Sequence, residues 1–132
     1  MARVTAEQFI AALRQVEDAG NVKAMGPLHA EDADVSNVAM SESERGPAGA
    51  EHFWSKYRES FTRVHSEFRN VVESDEAALL EWTTTVTTAV GVDTSYDGVS
   101  VLEFGDGKIR RFRAYFNPNA LTAHHQAAPV TK

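Results

Sequence analysis

Three polar side chains of this sequence could handle a proton or orient a small molecule. Asp34 stands between Ala33 and Val35 in a segment that favours a strand, and Asn37 follows three residues later. Tyr57 belongs to the apolar stripe of a predicted helix. A carboxylate can act as a general base, while an amide and a phenol can hold a substrate by hydrogen bonds. We therefore take Asp34, Tyr57 and Asn37 as the catalytic candidates.

A second set of side chains is aromatic, small or neutral polar and would suit the wall of an apolar cavity. Tryptophan and tyrosine combine a large apolar ring with one polar atom, which suits a site with one wet end. The alternative is plain core, because aromatic residues at helical spacing usually pack against one another. The predicted substrate-binding residues are Trp54, Trp82, Thr84, Tyr96, Ser100, Phe112, Ala114 and Phe116.

His29 stands close in sequence to Asp32 and Asp34, and an imidazole beside a carboxylate can form a general base pair. Residues of this kind more often cap a helix or face solvent. Their spacing matches no standard zinc site, and the chain contains no cysteine and no glycine-rich phosphate-binding or nucleophile motif. We therefore expect no metal and no cofactor.

The first 61 residues predict helices that would position part of these sets. Thr5 and Gln8 form a capping-box pattern, and Gly20 is a natural end for the first helix. Asn21 could cap a short second helix. A third helix begins at Gly46 and Pro47, and its apolar stripe consists of Ala50, Phe53, Trp54, Tyr57 and Phe61.

Strands are predicted over residues 33–38, 64–72, 78–88, 96–104 and 109–116, the last pair joined by the hairpin turn Gly105-Asp106-Gly107. Consecutive strands with short turns pair antiparallel, and the helices before them must cover one face of the sheet. The sequence therefore predicts an α+β fold, a cone-shaped curved antiparallel sheet packed on three N-terminal helices, with an apolar pocket. Residues 1–121 would form this single domain, and residues 122–132 a flexible tail.

Composition limits the classes of partner. The chain has 132 residues and a net charge of -6, which argues against nucleic acid because phosphate binding requires clustered positive charge. No apolar stretch approaches the roughly 20 residues that a membrane helix needs. The N-terminal residues show no signal-peptide pattern, and the absence of cysteine fits a reducing compartment. We therefore expect a cytoplasmic protein that contacts neither nucleic acid nor membrane.

The order of elements and several local phrases resemble the nuclear transport factor 2-like superfamily, especially its SnoaL-like branch. The phrases are residues 9–13, residues 29–35, residues 46–54, residues 98–104 and residues 113–117. The resemblance covers about residues 5–121. It implies the cone-shaped fold, a site at the mouth of the cone and a homodimer through the convex sheet face. Members include polyketide cyclases, ketosteroid isomerases, limonene-epoxide hydrolases and non-enzymatic binding proteins.

The catalytic residues of those enzymes are mostly missing. The epoxide hydrolases and the SnoaL cyclases resemble each other in carrying an acidic residue in the middle of the last strand, where this chain has Ala114. The arginine and aspartate of the hydrolases correspond to Trp82 and Thr84. The carboxylate base of the ketosteroid isomerases corresponds to Asn37. None of these mechanisms can be transferred intact.

Three hypotheses follow. The first is a cofactor-independent acid–base enzyme, an isomerase, cyclase or hydrolase, acting on a small apolar molecule. The second is a non-catalytic binding protein that uses the same pocket, and the third is a dimeric interaction module with a filled core. An ionisable group in the cavity, Asp34 above all, would favour the enzyme, whereas neutral polar groups alone would favour the binding protein.

Overall fold

The computed structural model describes residues 4–120, so the predicted tail over residues 122–132 lies outside the described residues. The elements follow one another as helix, strand pair, helix and four long strands. Their bounds are α1 Ala6–Ala19, β1 His29–Asn37, β2 Glu44–Arg45, α2 Gly46–Glu59, β3 Phe61–Glu73, β4 Ala77–Thr88, β5 Asp93–Gly105 and β6 Lys108–Phe116.

Helix α1 forms as its local sequence predicts. The hydroxyl of Thr5 accepts the N–H of Gln8 at 3.2 Å, and the side-chain oxygen of Gln8 accepts the N–H of Thr5 at 2.9 Å. These two bonds are the capping box. Gly20 ends the helix with φ 69°, a left-handed conformation that glycine adopts without strain. The buried residues of α1 are Ala6, Phe9, Ala12, Leu13, Val16 and, unexpectedly, Glu17.

The predicted short second helix forms as two 3-10 turns, Val22–Ala24 and Gly26–Leu28, rather than as one continuous helix. Pro27 has no N–H to donate to a helical hydrogen bond. The chain then enters β1 at His29 directly after the second turn. Over the described residues, α1, α2 and these turns cover the sheet in place of three helices.

The sheet has the strand order β2-β1-β6-β5-β4-β3. Strands β3 to β6 pair antiparallel in sequence order, as predicted. Strand β1 instead pairs in parallel with β6, with Val35 opposite Phe112 and Asn37 opposite Ala114. The chain between β1 and β6 contains a helix and four strands, so no hairpin forces an antiparallel pair. The sheet is therefore mixed rather than wholly antiparallel.

The hairpin between β5 and β6 turns at Asp106 and Gly107, which have φ 54° and 80°. Two consecutive positive φ angles define the tight turn whose twist matches that of the flanking strands. Beyond the turn the register shifts by one residue between Phe104 and Glu103, and this irregularity places Leu102 opposite Phe112 and Ser100 opposite Ala114. These pairs face the helices, and the curled, unclosed sheet with its helical cover confirms the predicted α+β fold.

Aromatic rings form the centre of the core between the helices and the sheet. Phe112 on β6 stacks on Phe9 of α1 with ring centroids 5.4 Å apart, and it meets the edges of Phe53 and Trp54 on α2 at 5.7 and 5.3 Å. Trp54 continues the contact to Tyr57 at 5.0 Å. Phe112 thus joins both helices to the sheet beneath the cavity described next.

Candidate functional site

A cavity of about 380 Å³ lies between α1, α2 and the inner face of the sheet, and residues of the β1–α2 connection border it. Ten of the 22 residues that line it are aromatic, and two, Glu44 and Lys56, are charged. The structure places all eight predicted substrate-binding residues around it: Trp54, Trp82, Thr84, Tyr96, Ser100, Phe112, Ala114 and Phe116. Tyr57 and Asn37, two of the three catalytic candidates, line it as well. Their roles remain predictions.

Asp34, the third catalytic candidate, does not reach the cavity. Side chains alternate along a strand, and Val35 is fully buried on the inner face, so Asp34 and Ser36 project to the outer face. There Asp34 borders a polar cleft with Arg111 and Arg113, and Arg113 donates a hydrogen bond to the Ser36 hydroxyl at 2.9 Å. The placement of Asp34 in the site was therefore wrong.

His29 also lies away from the cavity. Its side chain is 1% exposed, and its Nδ1–H donates to the carbonyl oxygen of Met25 at 2.8 Å, while no described group pairs with its Nε2. Burial lowers the pKa of His29 below the ordinary 6.5, against a smaller opposing effect of the Met25 hydrogen bond. A neutral buried imidazole is a structural group, and the His29–Asp34 base pair does not form.

The buried imidazole predicts a pH-dependent stability. The unfolded chain protonates His29 near pH 6.5 while the folded chain does not, so stability falls as pH drops below about 6.5, by up to roughly 1.4 kcal/mol per pH unit until the lower folded pKa is reached. Above about pH 6.5 the imidazole is neutral in both states, so His29 does not change the dependence of stability on pH. We expect His29→Asn, which keeps a donor for Met25, to flatten the loss of unfolding free energy between pH 7.5 and 5. Urea titrations measure it, and equal slopes in the wild type and His29→Asn would contradict this expectation.

A carboxylate that the sequence analysis missed lies directly behind the cavity wall. Glu17 is 3% exposed, and its two oxygens accept hydrogen bonds from the Tyr57 hydroxyl at 2.7 Å, the Ser66 N–H at 2.9 Å and the Ser66 hydroxyl at 2.6 Å. The Ser66 hydroxyl also contacts the Thr84 hydroxyl at 2.7 Å. Tyr57, Ser66 and Thr84 line the cavity, whereas Glu17 does not. We call these four residues the Glu17 network.

The Glu17 network acts on the two cavity tyrosines. Burial, and then the charge of Glu17, raise the pKa of Tyr57 well above its ordinary value. Burial and the same charge also raise the pKa of Tyr96. Both phenols therefore stay protonated at neutral pH.

Other residues of the wall also carry neutral donors, among them Trp54, whose buried indole N–H has no hydrogen-bond partner among the described residues. The indole N–H of Trp82 donates to the Ser100 hydroxyl at 2.9 Å, which leaves the hydrogen of Ser100 for another partner. The side-chain oxygen of Asn37 accepts the N–H of Ala39 at 2.8 Å, which leaves its amide hydrogens. Gly98 makes room for the Trp82 ring, because a Cβ there would collide with ring atoms of Trp82. The bare glycine thus lets Trp82 reach Ser100.

The described part of the chain contains no cluster of side chains suited to bind a metal ion. Across residues 4–120, no three His, Asp or Glu side chains gather closely enough to hold a metal ion. Within the same residues no helix is long and apolar enough to cross a membrane. The site consists of an apolar, aromatic-rich cavity, neutral polar groups and the charged side chains of Glu44 and Lys56 on its wall, and the Glu17 carboxylate behind it.

An unclosed sheet cone around an internal cavity is the architecture of the SnoaL-like and nuclear transport factor 2-like proteins. The chain matches the model of the SnoaL-like domain over residues 6–112 and belongs to that family. This confirms the resemblance predicted from the sequence. No curated protein matches the chain.

Three solved structures illustrate the shared fold. A proposed isomerase from Rhodopseudomonas palustris superposes with a TM-score of 0.78 at 14% identity, covering 95% of this chain and 98% of that one. A proposed SnoaL-like polyketide cyclase from Jannaschia sp. CCS1 has a TM-score of 0.75 at 14% identity, covering 93% and 94%. TerC, co-crystallised with polyporic acid, has a TM-score of 0.75 at 18% identity, covering 88% and 93%. Identities this low establish the fold alone.

Proposed function

We propose that the cavity binds a small, largely apolar molecule with a flat ring body. The observation that carries this proposal is the cavity of about 380 Å³, whose wall is rich in aromatic residues and carries few polar groups, two of them the charged side chains of Glu44 and Lys56. Cavities of roughly 300–1,000 Å³ with such walls are typical ligand sites. The polyporic acid bound by TerC, which shares the fold, supports the same class of ligand.

Filling the cavity tests this function without removing a contact. Ala114 faces the cavity between Phe112 and Phe116, so Ala114→Leu should block a ligand, while Ala48→Leu on the exposed side of α2 should not. The probes are benzofuran, indole and 1-indanone, titrated by calorimetry. Trp54 and Trp82, the two tryptophans of the chain, both line the cavity, so benzofuran should also change the tryptophan emission. The proposal would be contradicted if the Ala114→Leu variant still bound the probes, or if the wild type bound none of them.

A second candidate, an acid–base enzyme without cofactor, is favoured by the 2.7 Å bond between Tyr57 and Glu17. A substrate proton could pass to the phenol oxygen while the phenol hydrogen passes to the Glu17 carboxylate, so that the tyrosine stays neutral throughout. Ser100 or Asn37 would then donate to the substrate oxygen that gains electron density. The reaction class is isomerisation, cyclisation or hydrolysis of an apolar substrate.

Hydrogen–deuterium exchange separates the enzyme from the binding protein. The protons beside the carbonyl of 1-indanone exchange slowly in deuterated buffer, and a Tyr57–Glu17 relay would accelerate that exchange. NMR would follow it for the wild type, for Glu17→Gln and for the neighbouring exposed Asp18→Asn. Acceleration by the wild type and Asp18→Asn but not by Glu17→Gln supports the relay. If the wild type does not accelerate the exchange, the enzyme proposal is contradicted and the binding proposal stands.

We also propose that a second copy of the chain covers the outer face of the sheet. Val72, Leu79 and Tyr115 project from this face and are 63%, 46% and 42% exposed. Val72 lies opposite Leu79 across β3 and β4, so the apolar side chains adjoin. Leu79→Glu should halve the mass measured by light scattering, whereas Val90→Glu, in a turn, should not. A wild-type monomer would contradict the dimer.

A further inference from the structure

The hydrogens of the Glu17 network have a defined direction, because each hydroxyl has only one to give. The Tyr57 and Ser66 hydroxyls lie 2.7 and 2.6 Å from one Glu17 oxygen. A carboxylate only accepts, so both hydroxyls must donate to it. Ser66 has then no hydrogen left for Thr84, and Thr84 must be the donor in the 2.7 Å contact between their hydroxyls. All three hydrogens are therefore used within the network.

The residues that carry these hydroxyls also belong to the cavity wall. Tyr57, Ser66 and Thr84 line the cavity, and with their hydrogens committed they offer it oxygen lone pairs. Among the described ion pairs none involves Glu17, so its charge is balanced by hydrogen-bond donors rather than by a cation. The charge also influences both tyrosines of the cavity, since it contributes to the raised pKa of Tyr57 and of Tyr96. This part of the wall is electronegative and can only accept.

We infer that Glu17 fixes the Tyr57, Ser66 and Thr84 hydroxyls as acceptors, and that the molecule held in the cavity carries an N–H or O–H donor on its apolar body. The inference rests on the proposed binding function and narrows its ligand class. A ring N–H, a phenol or an amine meets the requirement. An ether or an unsubstituted hydrocarbon of the same shape leaves the wall oxygens unpaired, and an ether oxygen would face their lone pairs.

Indole and benzofuran form a matched probe pair, because they share a shape and differ in one ring atom, N–H in indole and oxygen in benzofuran. One hydrogen bond of ordinary strength corresponds to about a tenfold change in affinity. We therefore expect calorimetry to show that wild-type protein binds indole about tenfold more tightly than benzofuran. Tyr57→Phe removes one acceptor but keeps the ring, and should weaken indole several-fold while leaving benzofuran unchanged.

The substitution Glu17→Gln should reverse the polarity of the wall. The amide nitrogen of glutamine donates where the carboxylate accepted, so Tyr57 and Ser66 would become acceptors toward residue 17 and turn their own hydrogens to the cavity. The preference for indole should then disappear, and 1-indanone, whose carbonyl accepts, should gain about tenfold relative to indole. The ratio of the indole affinity to the 1-indanone affinity is compared between the two proteins. The Ser100 hydroxyl is the same in both, so its contribution cancels in this comparison. Asp18→Asn, which removes the same charge at the neighbouring exposed position, should keep the wild-type ratio.

The outcomes separate the inference from the function beneath it. Equal affinity of the wild type for indole and benzofuran, with both blocked by Ala114→Leu, would overturn the inference and leave the binding function. An unchanged indole to 1-indanone ratio in Glu17→Gln would also overturn it. Absence of binding by all three probes would overturn the proposed function itself. The inference holds if the wild type prefers indole and Glu17→Gln reverses that preference.

Discussion

Replacing Glu17 with alanine is expected to lower the free energy of unfolding by about 3 kcal/mol. The change leaves three donors of the buried wall, the Tyr57 hydroxyl and the N–H and hydroxyl of Ser66, without their acceptor. Each buried donor without a partner costs roughly 1–3 kcal/mol, and water entering through the cavity would offset part of the sum. Urea denaturation at pH 7 measures the loss.

Two further variants show whether the loss comes from the network. Glu17→Gln keeps the side-chain shape and can bond to all three groups after the hydroxyls reorient, so its loss should be about 1 kcal/mol. Asp18→Asn, on the exposed side of the same helix, should change stability by less than about 0.5 kcal/mol. If Glu17→Ala were as stable as Asp18→Asn, the network would not stabilise the fold, and its proposed control over the cavity wall would lose its basis.

Much of the cavity wall could be predicted from strand alternation. The inner residues of β4, β5 and β6 follow period two, so Trp82 and Thr84 share one face, as do Ser100 and Leu102. The aromatic stripe of α2 supplied the opposite wall by helical spacing. Such predictions succeed because they depend only on local geometry and on which face must be apolar.

The two catalytic candidates on β1 lie on opposite faces of the strand. Asp34 and Asn37 are three residues apart on one strand, so they cannot share a face unless the strand is irregular between them. Val35, fully buried, indicates which of the two faces the core. Period two therefore already pointed Asn37 inward and Asp34 outward.

Glu17 required a different signal, which the sequence also contained. It follows Leu13 by four residues and Phe9 by eight, the spacing of one helix face, and that face is buried. A charged residue there is costly unless donors surround it, and the donors come from α2 and β3, far away in sequence. Helical spacing can place a carboxylate on the apolar face, but the partners that make it tolerable depend on tertiary structure. The same applies to the parallel pairing of β1 with β6, which no local pattern specifies.

Phe112→Ala is expected to cost about 4 kcal/mol of unfolding free energy, the largest loss among the cavity residues. Phe112 is 1% exposed. Its ring centroid lies 5.4 Å from that of Phe9, 5.7 Å from that of Phe53 and 5.3 Å from that of Trp54. Removing it from a packed core typically costs roughly 3–5 kcal/mol, because a void replaces both the buried area and these contacts. The same denaturation experiment measures it.

Phe116→Ala is the matched control, because Phe116 lies four residues further along β6, faces the same cavity and is only half-buried. Its ring meets Trp82 and Tyr96 at 6.4 and 5.5 Å, so its loss should cost only about 1–2 kcal/mol while weakening the binding of benzofuran. Phe112 would then act chiefly as the structural floor of the cavity and Phe116 as part of its binding wall. Equal stability losses for the two variants would contradict this division, because Phe112 would then stabilise the fold no more than a residue at the open side.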